Sequence, residues 1–369
     1  MLFSRKFVCI AAAAVAAAAC GRTEVADPAT VNDDMQTPVY FQTAPVTKGT
    51  SGSWTNFGED NVFQSAAWYI EKDKTWKQNY SEGIQYIPAS EVSHMDGTTA
   101  GTKVWRTVKP YYWPKNGGTL TFFSWSLNKP DLKFNTAAGS LAEVEISKEK
   151  GVELKNFDIT IDKDIDFLVA DPAEDKTKNE HLYFTDGVPT LFRHKLSALK
   201  VTAQADDDYE GKTITVKSIT VTDVKGKAEY QEGEEDASGN WEVIDRWTTD
   251  PDSSYDEEYY NGGTDGTVVG TSKVTFGGEQ SIFIPQSFTG DEILEITYEI
   301  YDENSGLKEQ VIFKIPLKEA LQSASGSKDG KFEPGKEYTV NLHFTLDLVY
   351  WDPAVQDWDT EDDSVTIRE

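Results

Sequence analysis

The chain has 369 residues, with Asp+Glu 63 against Lys+Arg 35 and a formal net charge of −28. That acidity excludes recognition of a phosphate backbone, and with it nucleic acid as a partner. Two cysteines in this length leave no disulfide framework and no thiolate metal site, so stability must come from apolar cores, and the chain is long enough for two or three domains.

The N-terminal segment reads as an export signal. Arg5 and Lys6 precede Phe7-Val8-Cys9-Ile10 and the run Ala11 to Ala19, an apolar stretch too short to span a bilayer. Small residues run directly into Cys20, the pattern of a lipoprotein signal. Cleavage between Ala19 and Cys20 lets the new terminal cysteine carry acyl chains. The signal is thus expected to cover residues 1–19 and to take Cys9 with it, leaving the acyl chains on Cys20 as the membrane attachment. Residues 20–36 are polar and aperiodic, with Asp27, Asp33 and Asp34, and predict a flexible tether.

From Thr37 onward the periodicity is that of strands. Leu120 to Leu127 is apolar on both faces and predicts a strand running through the middle of a sandwich. The charged stretch Asp171 to Glu180 breaks the pattern, which resumes near Phe192, so the chain divides into an N-terminal β-sandwich (37–185) and a C-terminal one (186–369). Ile214 and Val216 change phase to Ile219 and Val221, which predicts a bulge near Lys217 and Ser218. Asp250 to Gly270, rich in Asp, Tyr and Gly, reads as a surface loop. Leu294 to Ile300 and Val311 to Ile315, either side of Asp302-Glu303-Asn304-Ser305-Gly306, predict a hairpin, and Leu317 to Ser323 a helical turn or two. Tyr338 to Tyr350 alternates apolar and mostly polar residues without interruption and predicts one long strand. The predicted class is all-β, two consecutive sandwiches with an extended C-terminal tail.

No catalytic constellation stands out. His94, His181, His194 and His343 fall in no metal-binding spacing and read as surface residues. Asp162, Asp164 and Asp166 imitate the opening of a calcium loop, but the loop glycine is missing and Ala173 stands where the bidentate Glu belongs, so a solvated strand face is expected. The acids of 250–270 could hold a weakly bound cation, though a flexible acidic loop is the simpler expectation. No pair among the many carboxylates is singled out for glycoside hydrolysis, and neither a nucleophile elbow nor a phosphate-cradling glycine loop occurs. The chain is therefore read as a non-enzyme with no cofactor. Trp105, Tyr111, Tyr112, Trp113, Phe122, Phe123 and Trp125 form an aromatic cluster that either packs a core or, where exposed, stacks on sugar rings. A surface glycan-binding lipoprotein is the alternative function this leaves open.

Several segments resemble the fimbrillin-like lipoproteins. Tyr112-Trp113-Pro114 with Leu120-Thr121-Phe122-Phe123-Ser124-Trp125 is similar to that family's aromatic signature. Asp166-Phe167-Leu168-Val169-Ala170, the segment Phe192 to Val201, Ile284-Pro285-Gln286 and the terminal Trp351 to Trp358 follow in family order. The resemblance implies two transthyretin-like sandwiches, a location on the cell outer membrane and surface fimbrium, and other fimbrial subunits as partners, with a host or bacterial receptor or glycan as a further partner class. It also implies maturation by a trypsin-like protease that removes the first strand, whose groove a neighbouring subunit then fills. The matching segment is Val39 to Gly49, and Lys48–Gly49 would be the scissile bond. Most relatives carry Arg where this chain has Lys48, so an uncleaved anchor or tip subunit is the alternative to a stalk.

Strand donation needs an extended segment with alternating apolar side chains. The tail beyond Trp358 offers Val365 and Ile367, alternating with Ser364, Thr366 and Arg368. Two buried aliphatic side chains contribute roughly 3–6 kcal/mol, too little against association entropy, so a donor tail must also bury Val355, Trp358 or other upstream groups.

Overall fold

The computed structural model describes residues 37–43, 60–97, 101–128, 141–163, 165–178, 187–277, 281–322, 330–346 and 349–357. In chain order the first strands are β1 (Phe41–Thr43), β2 (Val62–Ile70), β3 (Ile84–Asp96), β4 (Lys103–Thr107), β5 (Thr119–Asn128) and β6 (Glu143–Ser147). They are followed by β7 (Gly151–Asp158), β8 (Asp166–Ala170), β9 (Ala173–Lys176), β10 (Val188–Thr190), β11 (Phe192–His194) and β12 (Ser197–Ala205). The chain continues with β13 (Lys212–Lys225), β14 (Lys227–Glu235), β15 (Trp241–Thr249), β16 (Ser254–Asn261), β17 (Thr267–Val269), β18 (Val274–Thr275) and β19 (Ser281–Phe283). The last strands are β20 (Gln286–Ser287), β21 (Ile293–Asp302), β22 (Leu307–Pro316), β23 (Lys331–Phe332), β24 (Lys336–Phe344) and β25 (Val349–Asp357). Two short helices interrupt them, α1 (Trp76–Asn79) and α2 (Leu317–Gln322). No helix among the described residues is long and apolar enough to cross a membrane.

The architecture is all-β. A nine-stranded sheet has the order β10-β1-β4-β3-β2-β5-β8-β11, with β9 added beside β5. Its two ends, β10 and β11, are separated in sequence by Leu191 alone, so the short segment 188–194 pairs with β1 at one end and with β8 at the other. The sheet therefore curls round on itself, and edges that would otherwise attract foreign strands are removed. The inner face carries Phe41, Phe63, Phe122, Leu168 and Phe192, all buried together. The outer face of β2, β5 and β8 offers Trp68, Phe123, Trp125, Phe167 and Val169, which pack under a four-stranded sheet, β15-β14-β7-β6. Strands β2, β5 and β8 are thus covered on both faces, which is why, apart from Asp166, only small polar residues (Ser65, Thr121, Ser124 and Ser126) are buried among their apolar side chains and why Phe122 and Phe123 can be adjacent.

The covering sheet has a composite origin. Strands β6 and β7 come from residues 143–158, while β14 and β15 come from 227–249 and pair back onto β7. Between those two stretches the chain builds β12 and β13 of the second sandwich, so it passes between the layers more than once. That second sandwich faces the sheet β18-β12-β24-β25, with β19 beside β12, against β16-β13-β21-β22, with β17 beside β13. Val201, Ile219, Leu294, Tyr338 and Leu342 lie in its core.

Several predicted elements appear where the sequence puts them. Strand β5 lies between β2 and β8, β13 shifts register between Val216 and Ser218, and β21 and β22 form the hairpin around the 302–306 turn. The C-terminal segment differs. Instead of one strand over 338–350, β24 ends at Phe344 and β25 returns antiparallel to it from Val349. The alternation is broken by one residue across this reversal, so that Val349 faces the core and Tyr350 the solvent. The acidic insertion is likewise not a bare loop. Tyr255, Glu257, Tyr259 and their alternating neighbours make β16, which pairs with β13 and buries Tyr259.

Candidate assembly groove

β1 has few residues and many constraints. Tyr40 and Gln42 alternate with Val39 and Phe41, and the latter two are 3% and 4% exposed. Phe41 meets Phe63 and Phe122 edge-on, with ring centroids 5.6 and 5.7 Å apart, the geometry that the quadrupoles of aromatic rings favour. The main chain is held on both sides. The Val39 N–H donates to Tyr111 O at 2.8 Å and the Trp113 N–H to Thr37 O at 2.9 Å on one side, while the Val188 N–H donates to Tyr40 O at 2.7 Å on the other. β1 runs parallel to β10 and antiparallel to β4, where Phe41 faces Trp105.

Gly187 makes that fit possible. A Cβ at this position would stand 2.9 Å from the Phe41 carbonyl carbon and 3.1 Å from Gln42 N, closer than real side chains approach a backbone. Its function is close approach rather than an unusual dihedral angle. Around the groove Trp113 packs on Phe122 at 5.8 Å, Tyr86 OH donates to Tyr112 O at 2.8 Å, and burial pushes the Tyr86 phenol above its ordinary value. β1 therefore occupies a slot rather than an edge. Its removal would leave main-chain groups of both β10 and β4 unpaired above a floor of Phe63 and Phe122.

The aromatic cluster singled out in the sequence divides between two cores: Trp105, Tyr111, Trp113 and Phe122 pack at the groove, and Phe123 and Trp125 under the covering sheet. Tyr111, Phe122, Phe123 and Trp125 are buried, and Trp105, Tyr112 and Trp113 are half-buried at the rim of the groove. Among the histidines, His343 stacks on Tyr350 with centroids 4.7 Å apart and lies 3.2 Å from Asp206. His194 is not a surface residue. It is buried, with Nδ1 2.7 Å from Asp166 Oδ2, because β11 pairs with β8 in a register that sets His194 opposite Leu168, between two layers. Asp162 and Asp166 are likewise fully buried instead of lining a solvated face. Among the described residues no group of three or more His, Cys, Asp or Glu is placed to hold a metal ion.

Ala19 and Cys20, the candidate scissile bond Lys48–Gly49, and Val365 and Ile367 of the tail all lie outside the described residues, as do His181 and Asp164. The described part of the first strand ends at Thr43, five positions before Lys48, and the last described residue of the C-terminal strand is Asp357. Gly187 is the groove residue that sequence reading missed. A glycine between Asp186 and Val188 looks like an ordinary turn signal until a neighbouring backbone is seen against it.

The fimbrillin-like family model matches residues 47–358, so the match begins just beyond β1 and ends at the foot of the tail. The chain belongs to the fimbrillin-like family. A crystal structure of a fimbrial protein from Bacteroides vulgatus aligns over 87% of this chain and 99% of its own, at 16% identity and a TM-score of 0.56, a likeness of fold. A candidate cell-adhesion protein from Bacteroides uniformis aligns over 89% of this chain and 100% of its own, at 16% identity and a TM-score of 0.45. No curated protein matches the chain.

Proposed function

We propose that this chain is a structural or adhesive subunit of a cell-surface fimbria, exported as a lipoprotein acylated at Cys20, anchored to the outer membrane, and joined to other fimbrial subunits by strand exchange. Family membership supports the fimbrial role. The observation that carries the strand-exchange reading is the two-sided slot of β1. A three-residue strand near the chain start fills a gap between β10 and β4; Phe41 is its buried anchor, and Val39, two residues ahead of it, is buried as well.

Cutting at Lys48–Gly49 would detach β1 from the rest of the subunit while leaving the groove floor in place. An incoming strand would then find main-chain partners on both flanks and pockets for side chains at positions i and i+2. Val365 and Ile367 have that spacing, and Trp358 upstream supplies further apolar surface, whereas Val355 is already paired in β25 and packed on the second sandwich's core. The departing strand has the same two-anchor spacing, so exchange replaces like with like and the gain comes from the longer partner. If Lys48–Gly49 stays intact, the slot stays filled and the subunit caps or anchors a fibre instead of extending it.

Deleting residues 361–369 tests the donor assignment. Loss of heat-resistant multimers from the cell surface, with folded monomer retained, is the expected result. Multimers undiminished by the deletion would rule out this tail as the donor.

A further inference from the structure

Outside the groove, the least ordinary chemistry lies where the two sandwiches meet. Lys195 follows β11 and precedes β12, and its side chain is only 8% exposed. Its backbone is fixed at both ends: the Lys195 N–H donates to Phe167 O at 2.9 Å, and Trp247 Nε1 donates to Lys195 O at 2.8 Å. Lys195 Nζ lies 2.8 Å from Asp245 Oδ1, fifty positions along the chain. The Tyr230 hydroxyl donates to the same Asp245 oxygen.

Asp245 itself has φ 45°, a left-handed conformation that a residue with a side chain adopts at a cost. It sits beside the bulge of the β14–β15 pair, which turns its carboxylate toward Lys195. Phe167, Tyr230 and Trp247 contact one another with centroids 5.2 to 6.2 Å apart. The open side is a cavity of about 360 Å³, lined also by Asp171, Arg193 and Lys336. Glu232 lies two residues beyond Tyr230 on β14. It is buried and accepts a hydrogen bond from the Val152 N–H at 2.8 Å, and desolvation pushes its carboxyl up to about 8. That desolvation belongs to Glu232 itself, while the Asp245 side chain is 37% exposed toward the cavity.

We propose that Lys195 and Asp245 are joined after folding by a side-chain amide, an intramolecular cross-link between the start of β12 and strand β15. The reaction needs no oxidant and no co-reactant. The Lys195 ammonium passes a proton to the Asp245 carboxylate, giving a free amine and a carboxylic acid. The Nζ lone pair attacks Cγ, and the tetrahedral oxygen takes its hydrogen bond from Tyr230. The Nζ–Cγ bond forms, the Cγ–OH bond breaks, and the hydroxyl leaves with a proton from Nζ as one water, for which the cavity is an exit. Condensation disfavoured between separate molecules becomes favourable when the partners are held together, since effective molarities for aligned groups reach roughly 10⁵ M or more. The bond would tie the composite sheet of the first sandwich to the first strand of the second, across a junction that a subunit under tension must keep closed.

The test is the intact mass of the denatured mature chain, followed by tryptic mapping. The expected result is a mass one water below that of the sequence, and a branched peptide containing Lys195 and Asp245 with no cleavage after Lys195. Lys195→Arg and Asp245→Ala should each restore the full mass and ordinary linear peptides. Succinimide at an Asp-Gly pair such as Asp96-Gly97 also removes one water, but it gives no branched peptide. Full mass with cleavage after Lys195, or a deficit mapped to such a pair, would show that these two residues make a salt bridge only and would overturn the proposal.

Discussion

Phe41 is the residue on which retention of the first strand depends. It is 4% exposed, meets two phenylalanine rings edge-on, and belongs to the inner core of the curled sheet. Truncating a buried Phe to Ala typically costs about 3–5 kcal/mol from lost transfer energy and the cavity left behind. Because β1 lies near the chain start and is held by few main-chain bonds, this loss should appear as local detachment before global unfolding. Each 1.4 kcal/mol is about tenfold in an equilibrium, so Phe41→Ala should speed detachment-limited exchange about a hundredfold or more. The reporters are the amides bonded to this segment, Val39, Trp113 and Val188, followed by hydrogen–deuterium exchange. Amides of the second sandwich, such as those of β21, should not change. If the three reporters exchanged as in the unaltered chain, the assignment of Phe41 as the strand's anchor would be wrong.

Other consequences can be checked separately. Gly187→Val places a side chain against the Phe41 and Gln42 backbone, so β1 should be expelled while the second sandwich stays folded; unchanged proteolytic protection of residues 37–43 would contradict this. His194→Ala leaves the Asp166 carboxylate buried without its partner, and urea unfolding should show a loss of about 3–5 kcal/mol, against little change for truncation of the exposed Val108. Burial raises the Glu232 carboxyl from 4.5 to about 8, so the fold holds a proton that the unfolded chain releases. This contribution is complete below pH 4.5 and is lost as pH rises toward 8. Glu232→Gln keeps an acceptor for the Val152 N–H, and its stability should fall less across that window; identical slopes would refute the assigned cause.

The periodicity of two made the all-β class legible, and Leu120 to Leu127 could be placed in a covered position because both its faces are apolar. The 338–350 segment shows the limit of that signal. Alternation survives a reversal almost intact, and only the one-residue phase change at Val349 marks the turn. Asp166 and His194 were misread for a related reason. A polar residue on a strand is assigned to solvent unless its partner is known, and the partner here arrives from another strand through the β8–β11 register. The return of β14 and β15 onto β7 is a long-range pairing with no local signature. The same holds for the Lys195–Asp245–Tyr230 cluster, assembled from three separate strands or loops. For the groove, Val39 and Phe41 fall in the segment that the family resemblance picked out. Their confinement between β10 and β4 was not legible, since it depends on a sheet that closes on itself.

The central claim is that subunits interlock by exchanging the first strand. Mass spectrometry of surface-extracted protein, separated into monomer and heat-resistant multimer, tests it most directly. The account predicts multimers whose chains begin at Gly49, and monomer that still carries residues 37–43 behind an acylated Cys20. Multimers whose subunits all retain residues 37–43 in their own slot, or a Gly49 form that never assembles, would contradict it.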